Sequence, residues 1–352
     1  MSALKKIAIF NRNLSVGGLQ KSLCNLLNVI DYKKYSVDLY LMESGGFYED
    51  LINKNVRVIY LPHSFKLAKF IPFSILYKLV KYSGQNIKYD VAIDYDGYQQ
   101  ITALNALKCN ANKHIMWIHS DWEMKYKYEK RFQISHKISF KKNQKFDSYV
   151  FVSNGIVNPF IKINKLQNIK YNIIPNIIDT TEIIEKAKED CDLVVDEKKY
   201  NLCSCGRLSY SKAYDETLKY LSKLKEKRKD FHFYLIGDGD QKEYLEALTN
   251  SLNLSEEVTF LGLQKNPYKY MSKCDGFILN SHFEGQGIVL WEAKCLGLDI
   301  FMAKNLEKYN DGLKGSNDLV EDLIKMNKNY KEVDNLEKYN QNIIDTFNKV
   351  VR

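Results

Sequence analysis

Short apolar runs alternate with longer amphipathic segments along most of the chain. A short apolar run is typical of a buried strand, whereas apolar residues that recur every three or four positions are typical of a helix. Strands alternating with helices predict a parallel sheet with helices on its faces. Helices are predicted at 216–227, 241–252 and 289–297. The predicted strands are residues 6–10, 37–42, 56–61, 91–93, 115–118, 148–152 and 171–179 in the first half, and 202–206, 232–237, 258–261, 276–280 and 298–301 in the second.

A polar and charged stretch, residues 180–200, separates two series of strands and helices. It predicts a helix and a linker, and it divides the chain into domains at 1–178 and 179–335. Residues 336–352 predict a terminal helix. In doubly wound domains, ligands bind at the carboxyl ends of the strands. We therefore expect an α/β fold of two Rossmann-like, doubly wound domains that face a central cleft.

The composition is that of a globular enzyme. Of the 352 residues, 45% are hydrophobic and 27% are charged, which excludes an intrinsically disordered chain. No apolar run approaches the roughly 20 residues that cross a bilayer, and the apolar part of the first residues is too brief for a signal peptide. The seven cysteines contain no C-x-x-C pair and predict neither a disulfide framework nor a zinc site. We expect a cytoplasmic protein.

The net charge of +9 calls for a polyanionic partner. Nucleic acid, anionic lipid and phosphorylated substrates all satisfy this requirement, so the charge by itself leaves the three classes open.

The strongest candidate chemistry lies in residues 281–297. Glu284 and Glu292 are eight residues apart, which along a helix corresponds to about 12 Å, close to the span between the sugar and ribose ends of a nucleotide sugar. Gly285 and Gly287 leave room for a ligand, and a helix that starts near Gly287 would offer free N–H groups to it. A carboxylate in such a cleft would not belong to the core. The alternative is an ordinary pair of acids on an amphipathic helix.

Two cations follow the strand at 202–206. Arg207 comes directly after it and Lys212 five residues later, a pattern that suits a diphosphate whose charge grows as it leaves. A solvated basic turn is the alternative. The next strand ends in a Gly-Asp-Gly turn at Gly237 and Gly239, which lacks the third glycine of a dinucleotide fingerprint and so indicates only a tight turn beside the cleft.

Two further candidates lie in the first half. Gly17 and Gly18 follow the first strand and permit close approach of an anion to a helix N-terminus, although such a pair is also common in ordinary turns. His119 follows the strand at 115–118. Its position favours the cleft, and a buried histidine held by a backbone hydrogen bond is the alternative.

Taken in this order, these motifs resemble the family-4 retaining glycosyltransferases, which have the GT-B fold. The similarity runs from about residue 6 to residue 301 and ends before the strand and glycine loop that the family has next. Ala213 and Ile177 stand where the family has glycine. The motifs that carry the resemblance are GGLQKS (17–22), SNGIVNPF (153–160), IIPNIID (173–179), GRLSYSK (206–212), IGDGD (236–240) and FEGQGIVLWEA (283–293).

The resemblance implies a role for each matching position. Arg207 and Lys212 would hold the donor diphosphate, and Glu284 would bind hydroxyls of the transferred sugar together with main-chain N–H groups of residues 285–288. Glu292 would bind the ribose hydroxyls, and His119 would face the sugar. The catalytic residues would be His119, Arg207, Lys212 and Glu284. The donor-binding residues would be Gly17, Gly18, Gly206, Gly237, Gly285, Gln286, Gly287, Ile288, Val289 and Glu292.

The resemblance also implies a substrate class. The donor would be a nucleotide diphosphate sugar, with UDP favoured, and the acceptor a glycan or lipid-linked molecule of bacterial surface polysaccharide or teichoic acid. The anomeric configuration would be retained without a metal or other cofactor, and the terminal helix would cross back to the first domain. The alternatives are a nucleotide-sugar epimerase of the same fold and a basic nucleic-acid-binding α/β protein, although the chain lacks a recognition-helix module.

Two basic segments predict contact with an anionic membrane surface. Residues 64–82 combine four lysines with aromatic and aliphatic residues and contain no acid, and residues 125–132 are also basic. Such segments can lie among the head groups of anionic lipids. Helices that cover a sheet have a similar pattern, and Pro72 is expected to divide the first segment into two short helices. We expect the protein at the inner face of the cell membrane.

Overall fold

The structure is a computed structural model, and it describes residues 4–61, 70–82, 84, 86–328, 333–334 and 336–352. The chain forms two compact units: Met1–Ile177 with Lys338–Arg352, and Ile178–Glu337. The division falls one residue before the predicted domain boundary. The last residues belong to the first unit.

All strands of the described residues are parallel to their neighbours. The first unit has a seven-stranded sheet in the order β3-β2-β1-β4-β5-β6-β7, and the second a five-stranded sheet in the order β10-β9-β8-β11-β12. The strands are β1 (Lys5–Asn11), β2 (Tyr35–Leu41), β3 (Arg57–Tyr60), β4 (Tyr89–Asp94), β5 (Ala111–Ile118), β6 (Ser148–Phe151), β7 (Tyr171–Ile173), β8 (Tyr200–Cys205), β9 (Phe231–Ile236), β10 (Val258–Gly262), β11 (Gly276–Leu279) and β12 (Asp299–Met302).

Helices connect most of these strands. They are α1 (Gly18–Val29), α2 (Phe73–Leu79), α3 (Gln100–Lys108), α4 (Trp122–Tyr128), α5 (Lys130–Ser139), α6 (Val157–Asn164), α7 (Thr180–Ala187), α8 (Tyr214–Lys225), α9 (Lys242–Ser251), α10 (Tyr268–Met271), α11 (Ile288–Cys295), α12 (Leu319–Ile324) and α13 (Glu337–Val350). The predicted α/β class with two parallel sheets is confirmed.

Burial on both faces explains why the strands read as continuous apolar runs. In β1, Ile7, Ala8, Ile9 and Phe10 are all fully buried, as expected for a parallel sheet between two layers of helices. Each predicted strand corresponds to an observed one. The exception in length is β7, which has three residues where nine were predicted, because the following Pro175 has no N–H to donate to a ladder.

The carboxyl ends of β8 and β9 pack backbone against backbone. Gly206 N–H donates to the Ile236 carbonyl at 2.9 Å, and a Cβ atom on Gly237 would lie 1.9 Å from the Gly206 carbonyl oxygen. Gly237 also has a φ of +142°. Only glycine satisfies both conditions. The Gly-Asp-Gly turn is therefore required by packing, and the turn holds the backbone from which Arg207 projects.

Gly237→Ala is expected to lower the free energy of unfolding by more than about 1 kcal/mol, because the added methyl group meets backbone that cannot move aside. Gly262→Ala is the matched control: its φ is +68°, and its Cβ would meet nothing within 4 Å. In Gly262→Ala the only expected cost is about 1 kcal/mol, because alanine must adopt a left-handed backbone conformation. Urea denaturation followed by circular dichroism compares the two, and equal costs would contradict the packing explanation.

Candidate active site

The predicted donor-binding residues of the second unit lie at one edge of its sheet. Central strand β8 has β9 on one side and β11 on the other. The loops that follow β8 and β11 therefore leave the same edge, the carboxyl end where doubly wound sheets bind ligands. Arg207 and Lys212 follow β8, and Glu284 follows β11.

The two loops are joined by an ion pair. Lys212 Nζ lies 2.7 Å from Glu284 Oε1, and the Ser281 hydroxyl donates to the same oxygen at 2.7 Å. The backbone adds a second link, since His282 N–H donates to the Ser211 carbonyl at 2.9 Å. Both charged side chains are partly buried, so each benefits from a charge-assisted hydrogen bond. The structure thus brings together two residues predicted separately from the sequence.

Arg207 is exposed and, within the part of the chain that the structure describes, its side chain forms no ion pair. Its neighbour Leu208 is held on both sides: Leu208 N–H donates to the Asp238 carbonyl at 3.0 Å, and its carbonyl accepts from Gln241 N–H at 3.0 Å. A fixed backbone therefore presents a guanidinium whose hydrogen-bonding capacity is available to an anion.

Glu284 and Glu292 do not lie on one helix, so the predicted spacing between them is wrong. Helix α11 begins at Ile288, so Glu284 lies in the preceding loop and the helical distance of about 12 Å does not apply. Glu292 lies inside α11 and is only 9% exposed, in contrast to the expected position outside the core. Its Oε1 accepts a hydrogen bond from the Tyr268 hydroxyl at 2.8 Å.

The expectation of free N–H groups at the start of α11 is also wrong for two residues. Gly287 N–H donates to Asn310 Oδ1 at 3.0 Å, and Ile288 N–H donates to the Gln286 carbonyl at 3.0 Å. The buried Asn310 satisfies a donor that a helix start would otherwise leave unpaired. Asn310 lies after residue 301, where the resemblance ends, so no motif pointed to it. The donor-binding roles of Gly285, Gln286, Gly287, Ile288 and Val289 stay predictions.

In the first unit, the glycine pair leads into α1 as predicted. Gly17 precedes the helix, and its carbonyl accepts from Lys21 N–H at 3.0 Å. One turn farther on, the Ser22 hydroxyl is 2.7 Å from the Tyr95 hydroxyl and also bonds the Asn176 side chain. The polar network therefore links α1 to the ends of β4 and β7.

His119 directly follows β5, and its ring centroid lies 4.6 Å from that of Tyr95. Burial lowers the pKa of His119 to about 3, against the opposing effect of a hydrogen bond to the Tyr95 backbone. Nε2 is buried and has no hydrogen-bond partner among the described residues. The imidazole is thus neutral at physiological pH and keeps one ring nitrogen for another group.

The structure gives no positive indication of a metal centre. Among the described residues, no group of three or more His, Cys, Asp and Glu side chains is arranged to hold a metal ion. Metal-independent chemistry stays a prediction. The described helices also include none with the length and apolar character needed to cross a membrane.

The pKa of His119 predicts how stability depends on pH. The unfolded state takes up a proton below its pKa of 6.5, whereas the folded state does so only near 3. Stability that depends on the neutral imidazole is therefore lost as pH falls from 6.5 towards 3, by at most about 1.4 kcal/mol per pH unit.

The stability advantage of the wild type over His119→Asn is expected to be constant above pH 7 and to shrink as pH falls to 4.5. Urea unfolding at each pH measures this difference, and the range above pH 7 is the internal reference. A difference that stays constant over the whole range would contradict burial of the ring.

Residues 185–307 match the family model described as "Glycosyl transferases group 1". The chain is 29% identical over 297 residues to N-acetylgalactosamine-N,N'-diacetylbacillosaminyl-diphospho-undecaprenol 4-alpha-N-acetylgalactosaminyltransferase of Campylobacter jejuni, a similarity that covers 82% of this chain and 78% of that protein. It is 28% identical over 162 residues to the O-antigen biosynthesis glycosyltransferase WclY of Escherichia coli, covering 44% of this chain and 42% of that one.

Solved structures show the same fold. HepE of Anabaena, in complex with UDP and glucose, has a TM-score of 0.64 at 15% identity, covering 99% of this chain and 94% of that chain. TarM of S. aureus has a TM-score of 0.61 at 13% identity, with coverage of 99% and 94%. None of these similarities favours the epimerase or the nucleic-acid-binding alternative. The resemblance to GT-B glycosyltransferases is confirmed, whereas retention of the anomeric configuration stays a prediction: the chain is a glycosyltransferase with the GT-B fold, and the part that matches the group 1 model, residues 185–307, includes Arg207, Lys212, Glu284 and Glu292.

Proposed function

We propose that the protein is a retaining glycosyltransferase that moves a sugar from a UDP-sugar to a glycan or lipid-linked acceptor in the cytoplasm, during synthesis of a bacterial surface polysaccharide. The observation that carries this proposal is the 2.7 Å pair between Lys212 and Glu284 beside the exposed Arg207, at the carboxyl edge of the second sheet. The names of the similar proteins support it, since one acts on a diphospho-undecaprenol acceptor and another binds UDP.

Arg207 and Lys212 would bind the donor diphosphate. Lys212 is held by Glu284 before donor arrives, so an incoming phosphate competes for the ammonium group and frees carboxylate lone pairs for sugar hydroxyls. Both cations then face a leaving group whose negative charge increases in the transition state, which is where electrostatic stabilisation raises the rate.

The transfer step would occur on one face of the sugar. The acceptor oxygen bonds to the anomeric carbon on the face from which the diphosphate departs, the bond between that carbon and the phosphate oxygen breaks, and the departing phosphate oxygen takes the acceptor proton. This sequence retains the anomeric configuration and needs no metal. Glu292 would bind the ribose, while His119, Gly17, Gly18, Gly206 and Gly237 would complete the set of contacts proposed from the resemblance.

A donor panel tests the proposal. The protein is incubated with UDP-, GDP- and ADP-sugars and a mixture of glycan and lipid-linked acceptors, and mass spectrometry identifies the released nucleotide. We expect UDP release that depends on an acceptor, and proton NMR of the product should show the donor's anomeric configuration. If no nucleotide diphosphate is released, the proposed transferase activity is overturned. If the product has the inverted configuration, the proposed retention is overturned.

Arg207→Ala and Lys212→Ala are each expected to lower kcat by about 100-fold and to raise the donor KM much less, because the lost charge acts mainly in the transition state. Lys212→Arg should restore only part of the kcat that Lys212→Ala loses, since a planar guanidinium does not replace a compact ammonium. Steady-state kinetics measure both constants.

Lys219→Ala is the matched control, because Lys219 forms an exposed pair with Asp215 within α8, away from this loop. It should keep wild-type constants. Near-normal turnover in Arg207→Ala or Lys212→Ala would remove that residue from the mechanism.

We also propose that the first unit contacts an anionic bilayer. Residues 64–69 lie outside the described residues, and α2 begins directly after Pro72. This helix buries Phe73 and Leu76, while Ile75, Lys78 and Leu79 face outwards, Leu79 with 74% of its surface exposed.

The second basic segment is connected to α2 through a 3₁₀ turn. Residues 125–132 span the end of α4 and the start of α5, and α2 packs against the 3₁₀ turn Phe140–Gln144 that follows α5. Lys127, Lys130 and Arg131 are exposed there, next to the exposed Ile134. Apolar groups flanked by cations match the head-group region of anionic lipids.

Co-sedimentation tests this contact with vesicles of phosphatidylcholine alone or mixed with phosphatidylglycerol. The protein should pellet only with the mixed vesicles, and less so at high salt. Lys78→Glu with Lys81→Glu should weaken binding about tenfold or more, since each lysine contributes about 1 kcal/mol.

Leu79→Glu should weaken it as well, whereas Val194→Glu, at a residue of the second unit with 91% exposure, should not. Equal pelleting with both kinds of vesicle, or none with the anionic kind, contradicts the proposal.

A further inference from the structure

A buried tyrosine holds one of the two glutamates. Tyr268 is the first residue of α10, and its hydroxyl donates to Glu292 Oε1 at 2.8 Å. Tyr268 is 3% exposed and Glu292 is 9% exposed, so water competes poorly for this bond. None of the sequence motifs includes Tyr268.

We propose that Tyr268 is a positioning residue that orients the Glu292 carboxylate to accept hydrogen bonds from the ribose hydroxyls of the donor. The proposal rests on the proposed function, which assigns ribose binding to Glu292. A carboxylate has about four acceptor sites, and its terminal torsion is otherwise only weakly restricted. A hydrogen bond to one oxygen fixes the plane of the group, and a group oriented in advance binds its ligand with less loss of entropy.

The tyrosine is itself fixed in position. Its backbone N–H donates to Asn266 Oδ1 at 3.0 Å, and the same Asn266 side chain donates to the Lys186 carbonyl at 2.7 Å. Asn266 thereby ties the start of α10 to α7. These contacts fix the backbone of Tyr268 independently of Glu292, and the burial of the ring limits where its hydroxyl can lie.

The hydroxyl also remains a donor over a wide pH range. Burial, and then the charge of Glu292, raises the pKa of Tyr268 well above its ordinary value. A tyrosinate would repel the carboxylate, so the protonated form is the one that bonds it. The Tyr268 hydroxyl is therefore protonated, and able to donate to Glu292, throughout the neutral pH range.

The same helix supplies a matched control. The Tyr270 hydroxyl donates to Asp192 Oδ1 at 3.0 Å, and Tyr270 is 6% exposed. Tyr270→Phe removes the same atom two residues from Tyr268, from a bond that does not involve Glu292.

Calorimetry on the full chain tests the proposal with two probes, UDP and 2′,3′-dideoxy-UDP, which lacks both ribose hydroxyls. Tyr268→Phe and Glu292→Gln are each expected to raise the Kd for UDP by about five- to tenfold, a loss typical of one or two hydrogen bonds. Neither should change the Kd for the dideoxy compound. Tyr270→Phe should bind both probes like the wild type. GDP and ADP, with their dideoxy forms, are titrated in parallel.

Each outcome is decisive. If Tyr268→Phe weakens UDP and dideoxy-UDP equally, the tyrosine only supports the fold and the inference is overturned. If Glu292→Gln weakens UDP selectively and Tyr268→Phe does not, the inference fails while the ribose role stands. If Glu292→Gln binds every probe like the wild type, or no nucleotide binds the wild type, the ribose role in the proposed function fails, and the inference fails with it.

Discussion

Glu284 and Glu292 each accept hydrogen bonds from side chains of the protein itself, and the rest of the candidate site depends on this arrangement. Glu284 accepts from Lys212 and Ser281, and Glu292 accepts from Tyr268. A partly buried carboxylate without such partners would carry a desolvation cost of about 1–3 kcal/mol or more. The partners therefore keep the site ordered before any ligand binds. They also give each carboxylate a defined orientation.

Those side chains are in turn placed by backbone packing. Gly206 and Gly237 let the ends of β8 and β9 approach each other, and Asn310 ties Gly287 to the segment after β12. Ala213 sits at φ +49°, a left-handed conformation that disfavours any residue except glycine, Asn and Asp. It lies where the related family has glycine, directly between Lys212 and α8. The chain thus tolerates local strain to turn Lys212 towards Glu284.

The sequence predicted the strands well and the contacts between loops less well. Strands such as β1 and β9 are buried on both faces, so their apolar runs are unambiguous. Motifs that follow strands also predicted Arg207, Lys212 and Glu284 at the correct sheet edge. Tyr268 and Asn310 could not be found in this way, because their partners are 24 and 23 residues away and depend on the tertiary fold. The start of α11 near Gly287 was predicted correctly, but the distance of about 12 Å between the glutamates was wrong because Glu284 lies in the loop before the helix.

The candidate residues of the two units differ in charge, and the difference fits the proposed chemistry. Arg207, Lys212, Glu284 and Glu292 are ionisable groups that the proposed function places near phosphate or hydroxyl groups of the donor, whereas burial lowers the pKa of His119 to about 3 and keeps the imidazole neutral. Cleavage of a glycosidic bond develops positive charge on the sugar ring. A protonated imidazole facing that ring, as proposed for His119, would raise the barrier, while a neutral one can still bond a hydroxyl through Nε2. The burial that removes the charge of His119 is therefore a condition for the residue to face the reacting sugar.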